Sequence, residues 1–196
     1  GDRSKVVNYS SIYESSIDYN TYQSTTTGFD GEGQIDSAIS YVTSEDLPVL
    51  YTLDGHGEKE LDSTLQEDIQ KANIDIKSLN LITEEKVPDD AACLLINAPT
   101  SDISESEKDA IIDYLENGGK ARIFSDFTEE SMENFDAVLA NYGVERTDGI
   151  VIEGDSQHYA QMPYYLVPTV NSTDALSDFA SKGYYVLMPY AQGIKQ

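Results

Sequence analysis

The stretch Leu47–Glu60, LPVLYTLDGHGEKE, constrains the fold of this chain more than any other. A run of apolar and β-favouring residues stops at Asp54, a Gly-His-Gly turn follows, and Glu58 opens a helical pattern. A strand that ends in a glycine turn and leads into a helix is the usual opening unit of an α/β sheet. Ligands and partners meet such sheets at the carboxyl ends of the strands. The stretch therefore predicts both a fold class and the edge where function lies.

Strands and helices alternate along the chain after this stretch. Strands are predicted over Ile74–Ile82, over the nearly all-apolar run Ala92–Ala98, which we expect to be covered on both faces, and over Lys120–Asp126. A helix follows the second of these strands, because Ser104 and Glu107 have the spacing of a capping box. This alternation predicts a doubly wound α/β fold with a mostly parallel central sheet.

The chain divides into three parts by composition. Residues 1–33 form a polar, Tyr-rich arm of β-type composition, residues 34–153 form the α/β core domain, and residues 154–196 extend the same domain. At the start of the core, Ile35, Ala38, Ile39 and Val42 have the spacing of one helical stripe. Beyond residue 143 the pattern predicts strands at Gly149–Glu153, Tyr164–Val170 and Tyr184–Met188 and a short helix at Asp174–Ala180.

The charge balance excludes several kinds of partner. Asp and Glu number 36 against 12 Lys and Arg, which gives a net charge of −24. Nucleic acids and anionic lipid headgroups are bound by clustered Lys and Arg, so we expect no nucleic-acid partner. The single cysteine, Cys93, cannot form an internal disulfide, and its apolar surroundings indicate a buried small hydrophobe. No apolar run approaches the roughly 18 residues of a membrane-spanning helix.

Three loops that follow predicted strands could carry chemistry: 54–58, 99–102 and 126–130. A phosphate site in the first loop is disfavoured, because Asp54 and Glu58 would repel an anion at close range. A metal site could use Asp54, His56 and Glu58, with His158 joining from the tail. A structural turn is favoured, in which the glycines take positive φ angles, Asp54 caps the following helix and Glu58 interacts with its positive end.

Catalysis by a nucleophile is disfavoured, since the sequence contains no Gly-x-Ser-x-Gly or Gly-x-Cys-x-Gly elbow. We therefore predict no catalytic residue, no metal and no cofactor. The alternative is a metal-dependent or carbohydrate-active hydrolase that uses the Asp54-His56-Glu58 loop. The candidate binding residues are Asp54, Gly55, His56, Gly57, Glu58, Pro99, Thr100 and Asp126.

Several of these segments resemble, in the same order, the GldG-type (gliding-motility-like) auxiliary proteins of ABC transporters. The segment Val49–Glu58 resembles the family signature V-Y-x-L-x-G-H-G-E. The similarity covers roughly residues 30–153, and its other segments are Gly33–Thr43, Val87–Ala91, Ala98–Pro99 with the Ser104-x-x-Glu107 helix, Tyr114–Lys120 and Leu139–Val144.

The resemblance implies an extracytoplasmic domain of an ABC transport system, anchored by transmembrane helices outside this sequence. It implies permease and ATPase subunits as partners. The fold it implies is flavodoxin-like, a three-layer sandwich akin to class I glutamine amidotransferases but without their nucleophile. The family supplies no catalytic residues, so the implied function is a non-enzymatic binding or scaffold role.

Overall fold

The N-terminal part of the chain forms a hairpin and two helices. The computed structural model describes residues 3–18, 21–171, 173 and 176–196. The hairpin strands pair antiparallel, with Tyr13 opposite Phe29 and Asp18 opposite Gln23, and form a sheet of their own. In chain order the elements are α1 (Tyr9–Ile12), β1 (Tyr13–Asp18), β2 (Gln23–Phe29) and α2 (Gly31–Thr43).

A four-stranded, all-parallel sheet forms the centre of the molecule. Its strands are β3 (Val49–Leu53), β4 (Asp75–Leu79), β5 (Ala91–Asn97) and β6 (Ala121–Phe124). Across the sheet the order is β4-β3-β5-β6, so the chain leaves β3 on one side and returns on the other. The crevice beyond the carboxyl ends of β3 and β5 is therefore the topological switch point. The predicted α/β class with a mostly parallel sheet is confirmed.

Helices lie on both faces of this sheet and make a three-layer sandwich. They are α3 (Ser63–Lys71), α4 (Leu81–Glu84), α5 (Glu105–Glu116) and α6 (Glu133–Ala140). On one face, Ile111 of α5 and Phe135 of α6 pack on the buried side chains of the sheet. On the other face, Gln66 of α3 lines a cavity of about 320 Å³ together with Thr52 and Leu95 of the sheet.

At two of the element boundaries that differ from the prediction, short polar side chains cap the chain. The helix predicted to open at Glu58 begins at Ser63, where the side chain of Asp62 accepts a backbone N–H of the first turn. The strand predicted to reach Ile82 stops before Asn80, whose Oδ1 accepts the Ile82 N–H (3.1 Å) and so starts α4. At Asn80, local capping wins over continued strand pairing.

The main core lies between the sheet and the α5–α6 layer. Val49, Tyr51 and Leu53 alternate along β3 and are buried, whereas the residues between them are half-buried. In β5 the consecutive residues Leu94–Ile96 are all buried, which confirms that both faces are covered there, whereas Ala92 nearer the start of the strand is exposed. Cys93, in the same strand, is half-buried.

The C-terminal part forms short antiparallel pairs. Its elements are β7 (Glu145–Arg146), β8 (Tyr165–Leu166), α7 (Ser177–Ser181), β9 (Met188–Pro189) and β10 (Ile194–Lys195). β10 pairs with β7 and β8 pairs with β9. The strand predicted at Gly149–Glu153 does not form, since its described hydrogen bonds go to separate segments, with Val151 N–H donating to the Ala191 carbonyl (2.8 Å). The predicted helix start at Asp174 lies outside the described residues.

Within the described ranges, none of the helices has the length and apolar character needed to cross a bilayer.

Candidate functional site

The loop after β3 is a tight turn built on two glycines. Asp54 still follows the sheet, since its N–H donates to the Leu79 carbonyl (2.9 Å). Gly55 (φ 129°) and Gly57 (φ 74°) then take backbone angles that L side chains rarely adopt. A Cβ on Gly57 would also lie 2.2 Å from Thr100 Oγ1, because the loop after β5 passes directly against this glycine. The predicted positive φ angles of the glycines are confirmed.

The backbone of His56 joins this turn to the loop after β5. Its carbonyl accepts hydrogen bonds from the N–H groups of Thr100 (2.9 Å) and Ser101 (3.1 Å). The two hydroxyls lie 3.3 Å from the same oxygen. Pro99, at the start of the second loop, is buried beneath these contacts, whereas Thr100 is exposed. The crevice at the switch point is therefore bridged by backbone hydrogen bonds.

The imidazole of His56 lies between two carboxylates. The residue is 6% exposed, its Nδ1 is 3.2 Å from Glu58 Oε1 and its Nε2 is 3.2 Å from Glu107 Oε2. The other oxygen of Glu58 accepts the His56 backbone N–H (2.7 Å). A neutral imidazole has one N–H donor and an imidazolium has two, so the doubly protonated ring is the form that donates to both glutamates. In that form every charge in the cluster has a partner of opposite sign.

Glu107 holds its position through the start of α5. Its side chain accepts the Ser104 N–H (2.8 Å) and its own N–H donates to Ser104 Oγ (3.3 Å), so the predicted capping box is confirmed. The positive end of the helix also favours a carboxylate here. Glu107 Oε1 is buried and has no hydrogen-bond partner among the residues that the structure describes. A cavity of about 850 Å³ lies alongside, lined by His56 and Glu107 together with residues of the loop before α5.

Directly after the turn, the backbone of Lys59 hydrogen-bonds with β5 and does not yet form the next helix. Lys59 N–H donates to the Asn97 carbonyl (2.9 Å), and Asn97 Nδ2 donates back to the Lys59 carbonyl (2.6 Å). A helix that began at Glu58 would use the Lys59 carbonyl for its own hydrogen bonds, but Asn97 Nδ2 engages that carbonyl, and Asp54 and Glu58 do not cap α3 as predicted. Lys59 Nζ forms an ion pair with Asp126, which follows β6.

All three loops predicted to carry chemistry thus meet at the carboxyl edge of the sheet. His56 and Gly57 contact the Thr100 loop, and Lys59, just after the first loop, reaches Asp126. Of the predicted binding residues, those exposed to solvent are Asp54, Gly55, Gly57 and Thr100. The remaining ones, His56, Glu58, Pro99 and Asp126, are buried or half-buried.

The donor set proposed for a metal does not converge on one position. Nowhere in the described ranges do three or more His, Cys, Asp or Glu side chains gather around a point that could hold an ion. Asp54 is exposed, and both ring nitrogens of His56 face glutamates. His158 lies exposed in the C-terminal part, where its N–H donates to the Asp155 carbonyl (3.0 Å).

The geometry also limits what His56 can do as a base. A general base must present a free ring nitrogen to the proton that it removes. Both nitrogens of His56 are engaged by carboxylates, and the nearby Ser104 hydroxyl is used by the helix cap. The arrangement is suited to holding two loops and a helix together.

Sequence reasoning missed three residues of this site: Lys59, Asn97 and the role of Glu107. The Ser104-x-x-Glu107 spacing predicted a helix cap, but the contact between Glu107 and His56 joins positions 51 residues apart. Asn97 ends a strand at the sheet edge, which is the signal that could have placed it near the loop after β3.

Comparisons with known proteins agree with this fold. A solved structure titled "mmIFT52 N-terminal domain" matches with a TM-score of 0.53 and 15% sequence identity, over 74% of this chain and 67% of that chain. At this identity the likeness shows the fold alone. No curated protein sequence matches the chain.

A family model described as "ABC-type uncharacterized transport system" matches residues 47–171. The match begins at the strand before the Gly-His-Gly turn and runs through β6 and α6. It therefore includes every residue of the carboxyl-edge site. The chain belongs to this family of auxiliary components of ABC-type transport systems.

Proposed function

We propose that the chain is a non-enzymatic, extracytoplasmic binding or scaffold domain of an ABC transport system. Its partners would be the permease and ATPase subunits, and segments outside this sequence would anchor it in the membrane, as the likeness to GldG-type proteins implies. The observation that carries the proposal is that the imidazole of His56 is held between two glutamates. Both of its ring nitrogens contact buried carboxylates, so this side chain holds the turn to its neighbours and is not free for catalysis.

The binding surface in this proposal is the rim of the carboxyl edge. Asp54 and Thr100 are exposed, one on each side of the switch point, and Asp126 continues the rim beyond β6. The hydrogen bonds between the loops hold these side chains in a fixed arrangement before any partner arrives. A preformed surface loses little conformational entropy on binding, which suits a scaffold.

The test is binding to the transport complex. Permease and ATPase subunits reconstituted in nanodiscs are titrated with the chain, and the affinity is compared between the wild type, Asp54→Lys and Asp75→Lys. Asp75 opens β4 at the opposite edge of the sheet and is also exposed, so the two variants carry the same charge change. We expect Asp54→Lys to weaken binding by about tenfold, or 1.4 kcal/mol, and Asp75→Lys to leave it unchanged.

Two kinds of result would contradict the proposal. One is equal binding of all three proteins, or binding of none. The other is a hydrolase activity of the purified chain that disappears in His56→Gln while the fold persists.

A further inference from the structure

Helix α2 packs its polar side against the rest of the protein, whereas amphipathic helices ordinarily pack their apolar side there. Ser37 Oγ donates to the Lys71 carbonyl (2.5 Å) and the Ser37 carbonyl accepts from Asn73 Nδ2 (2.9 Å). Lys5 Nζ donates to the same hydroxyl (3.0 Å). Asp30, just before the helix, forms an ion pair with Lys71 (2.5 Å). Hydrogen bonds and an ion pair therefore fix the orientation of α2.

The apolar stripe of α2 consequently faces solvent. Ile35, Ile39 and Val42 are 53%, 54% and 44% exposed. An amphipathic helix of a globular protein ordinarily buries such a stripe. The spacing of four and then three residues is the seam spacing of paired helices in a coiled coil.

Aromatic rings extend this stripe at the start of the helix. The Phe29 ring lies over Gly31, where a Cβ would be 2.4 Å from Phe29 Cζ. Tyr13 packs against Phe29 (ring centroids 5.5 Å) and Tyr9 packs against Tyr13 (5.0 Å). We call the whole surface the α2 patch; it consists of Tyr9, Tyr13, Phe29, Ile35, Ile39 and Val42, all of them exposed. Apolar patches of this kind on soluble domains mark sites of association.

We propose that the α2 patch is the docking surface for an amphipathic helix of a partner protein whose flanks carry Lys or Arg. The proposal rests on the proposed function, in which the chain acts as a binding component, and it adds a second surface with a defined kind of occupant. The heptad spacing of Ile35, Ile39 and Val42 selects a helix, because a partner helix places its own apolar residues into the same seam.

Charge selects the composition of that helix. Asp36 is exposed on α2 beside the stripe, and Glu32 is exposed in line with it, one turn before Ile35. In paired helices the residues that flank the seam set the choice of partner through their charges, so Lys or Arg on the partner fits these carboxylates. A second copy of the chain would bring the same carboxylates and a net charge of −24 to the interface. An anionic lipid surface would be repelled for the same reason.

The test uses two synthetic helical peptides of about three heptads with Leu at the seam positions, one flanked by Lys and the other by Glu. Binding to the 196-residue chain is measured by calorimetry. We expect the Lys peptide to bind the wild type and the Glu peptide to bind at least tenfold more weakly. Ile39→Ser should lower the affinity for the Lys peptide by about tenfold or more. Ile82→Ser, at an exposed Ile on α4, is the matched control and should bind as the wild type does.

A charge reversal tests the flanks separately. Asp36→Lys should lower the affinity of the chain for the Lys peptide and raise its affinity for the Glu peptide, each by about two- to fivefold. Because these side chains are exposed, all variants should melt with the wild type. Equal binding of the Lys peptide by wild type and Ile39→Ser would overturn the proposal, and so would an unchanged peptide preference in Asp36→Lys.

Other occupants give different results. Light scattering that shows a dimer broken by Ile39→Ser would assign the patch to a second copy. Sedimentation with phosphatidylcholine vesicles that is lost in Ile39→Ser would assign it to lipid. Either result overturns the docking of a basic helix while leaving the carboxyl-edge function in place. If the chain binds the Lys peptide but no transporter subunit, the proposed function fails and the α2 patch stands.

Discussion

At the scale of single residues, the turn after β3 depends on Gly57 and on the His56 cluster. The glycine combines a positive φ angle with close contact to Thr100. Gly118 offers a comparison, since it also has a positive φ (92°) but nothing lies within 4 Å of the position of a Cβ. Comparing the two glycines separates the cost of a positive φ angle from the cost of a steric clash when a Cβ is added.

We predict that Gly57→Ala lowers the free energy of unfolding more than Gly118→Ala does. Both substitutions place a Cβ on a left-handed backbone, at a cost of about 1–2 kcal/mol. Gly57→Ala must in addition displace the Thr100 side chain, which adds about 1 kcal/mol or more. Urea unfolding of the two variants measures the difference. A smaller loss for Gly57→Ala would mean that the loop after β5 does not press on the turn.

At the scale of elements, the ion pair between Asp30 and Lys71 ties α2 to the end of α3. The hydrogen bond from Lys71, followed by one from Gln34, lowers the pKa of the Asp30 carboxyl below its ordinary value of 3.8. The hydrogen bond to Asp30 raises the pKa of Lys71 in return. Each shift favours the charged form in the folded state, so both groups add stability at neutral pH.

The sign of the Asp30 shift fixes a pH window. A carboxyl with a lowered pKa in the folded state adds stability above its unfolded value, and that stability is lost as the pH falls through the folded value. We therefore expect Asp30→Asn to have a lower Tm than the wild type at pH 7, and this difference in Tm to shrink as the pH falls below 3.8 and through the lower folded pKa of Asp30. Thermal melts by circular dichroism between pH 7 and pH 2.5 measure it. Asp36→Asn on the same helix controls for net charge, and a difference in Tm that is as large at pH 2.5 as at pH 7 would contradict the assignment.

The sequence predicts an element well where local signals and burial agree. β3 and β5 are apolar runs that end in turn residues, and the Ser104-x-x-Glu107 box places the start of α5. It fails where tertiary contacts decide. The Lys59–Asn97 bonds delay the start of α3, and the polar contacts of Ser37 turn α2 outward.

The candidate site shows the same division. The positive φ angles of Gly55 and Gly57 follow from the turn, and the meeting of three loops follows from the parallel sheet. The second carboxylate on His56 could not be predicted, because Glu107 serves a helix cap and its other contact appears only when α5 packs beside the turn.

At the scale of the whole molecule, the two faces of the sheet differ in character. The face toward α5 and α6 carries the apolar core, with Leu94, Ile96 and Ile111 fully buried. The opposite face carries α3 and polar side chains such as Thr52 and Asn97 around an open cavity. One side thus supplies most of the stability, while the carboxyl edge and the α2 patch remain accessible to partners.

The contact between His56 and Glu107 joins the turn after β3 to the start of α5, and so connects the sheet to the helical layer. A double-mutant cycle with His56→Ala, Glu107→Ala and the double variant, read as free energies of unfolding in urea, measures that contact directly. We predict that each single substitution costs about 2–4 kcal/mol and that the two residues are coupled by about 1–3 kcal/mol. A coupling near zero, with both single variants as stable as the wild type, would contradict a structural role for His56.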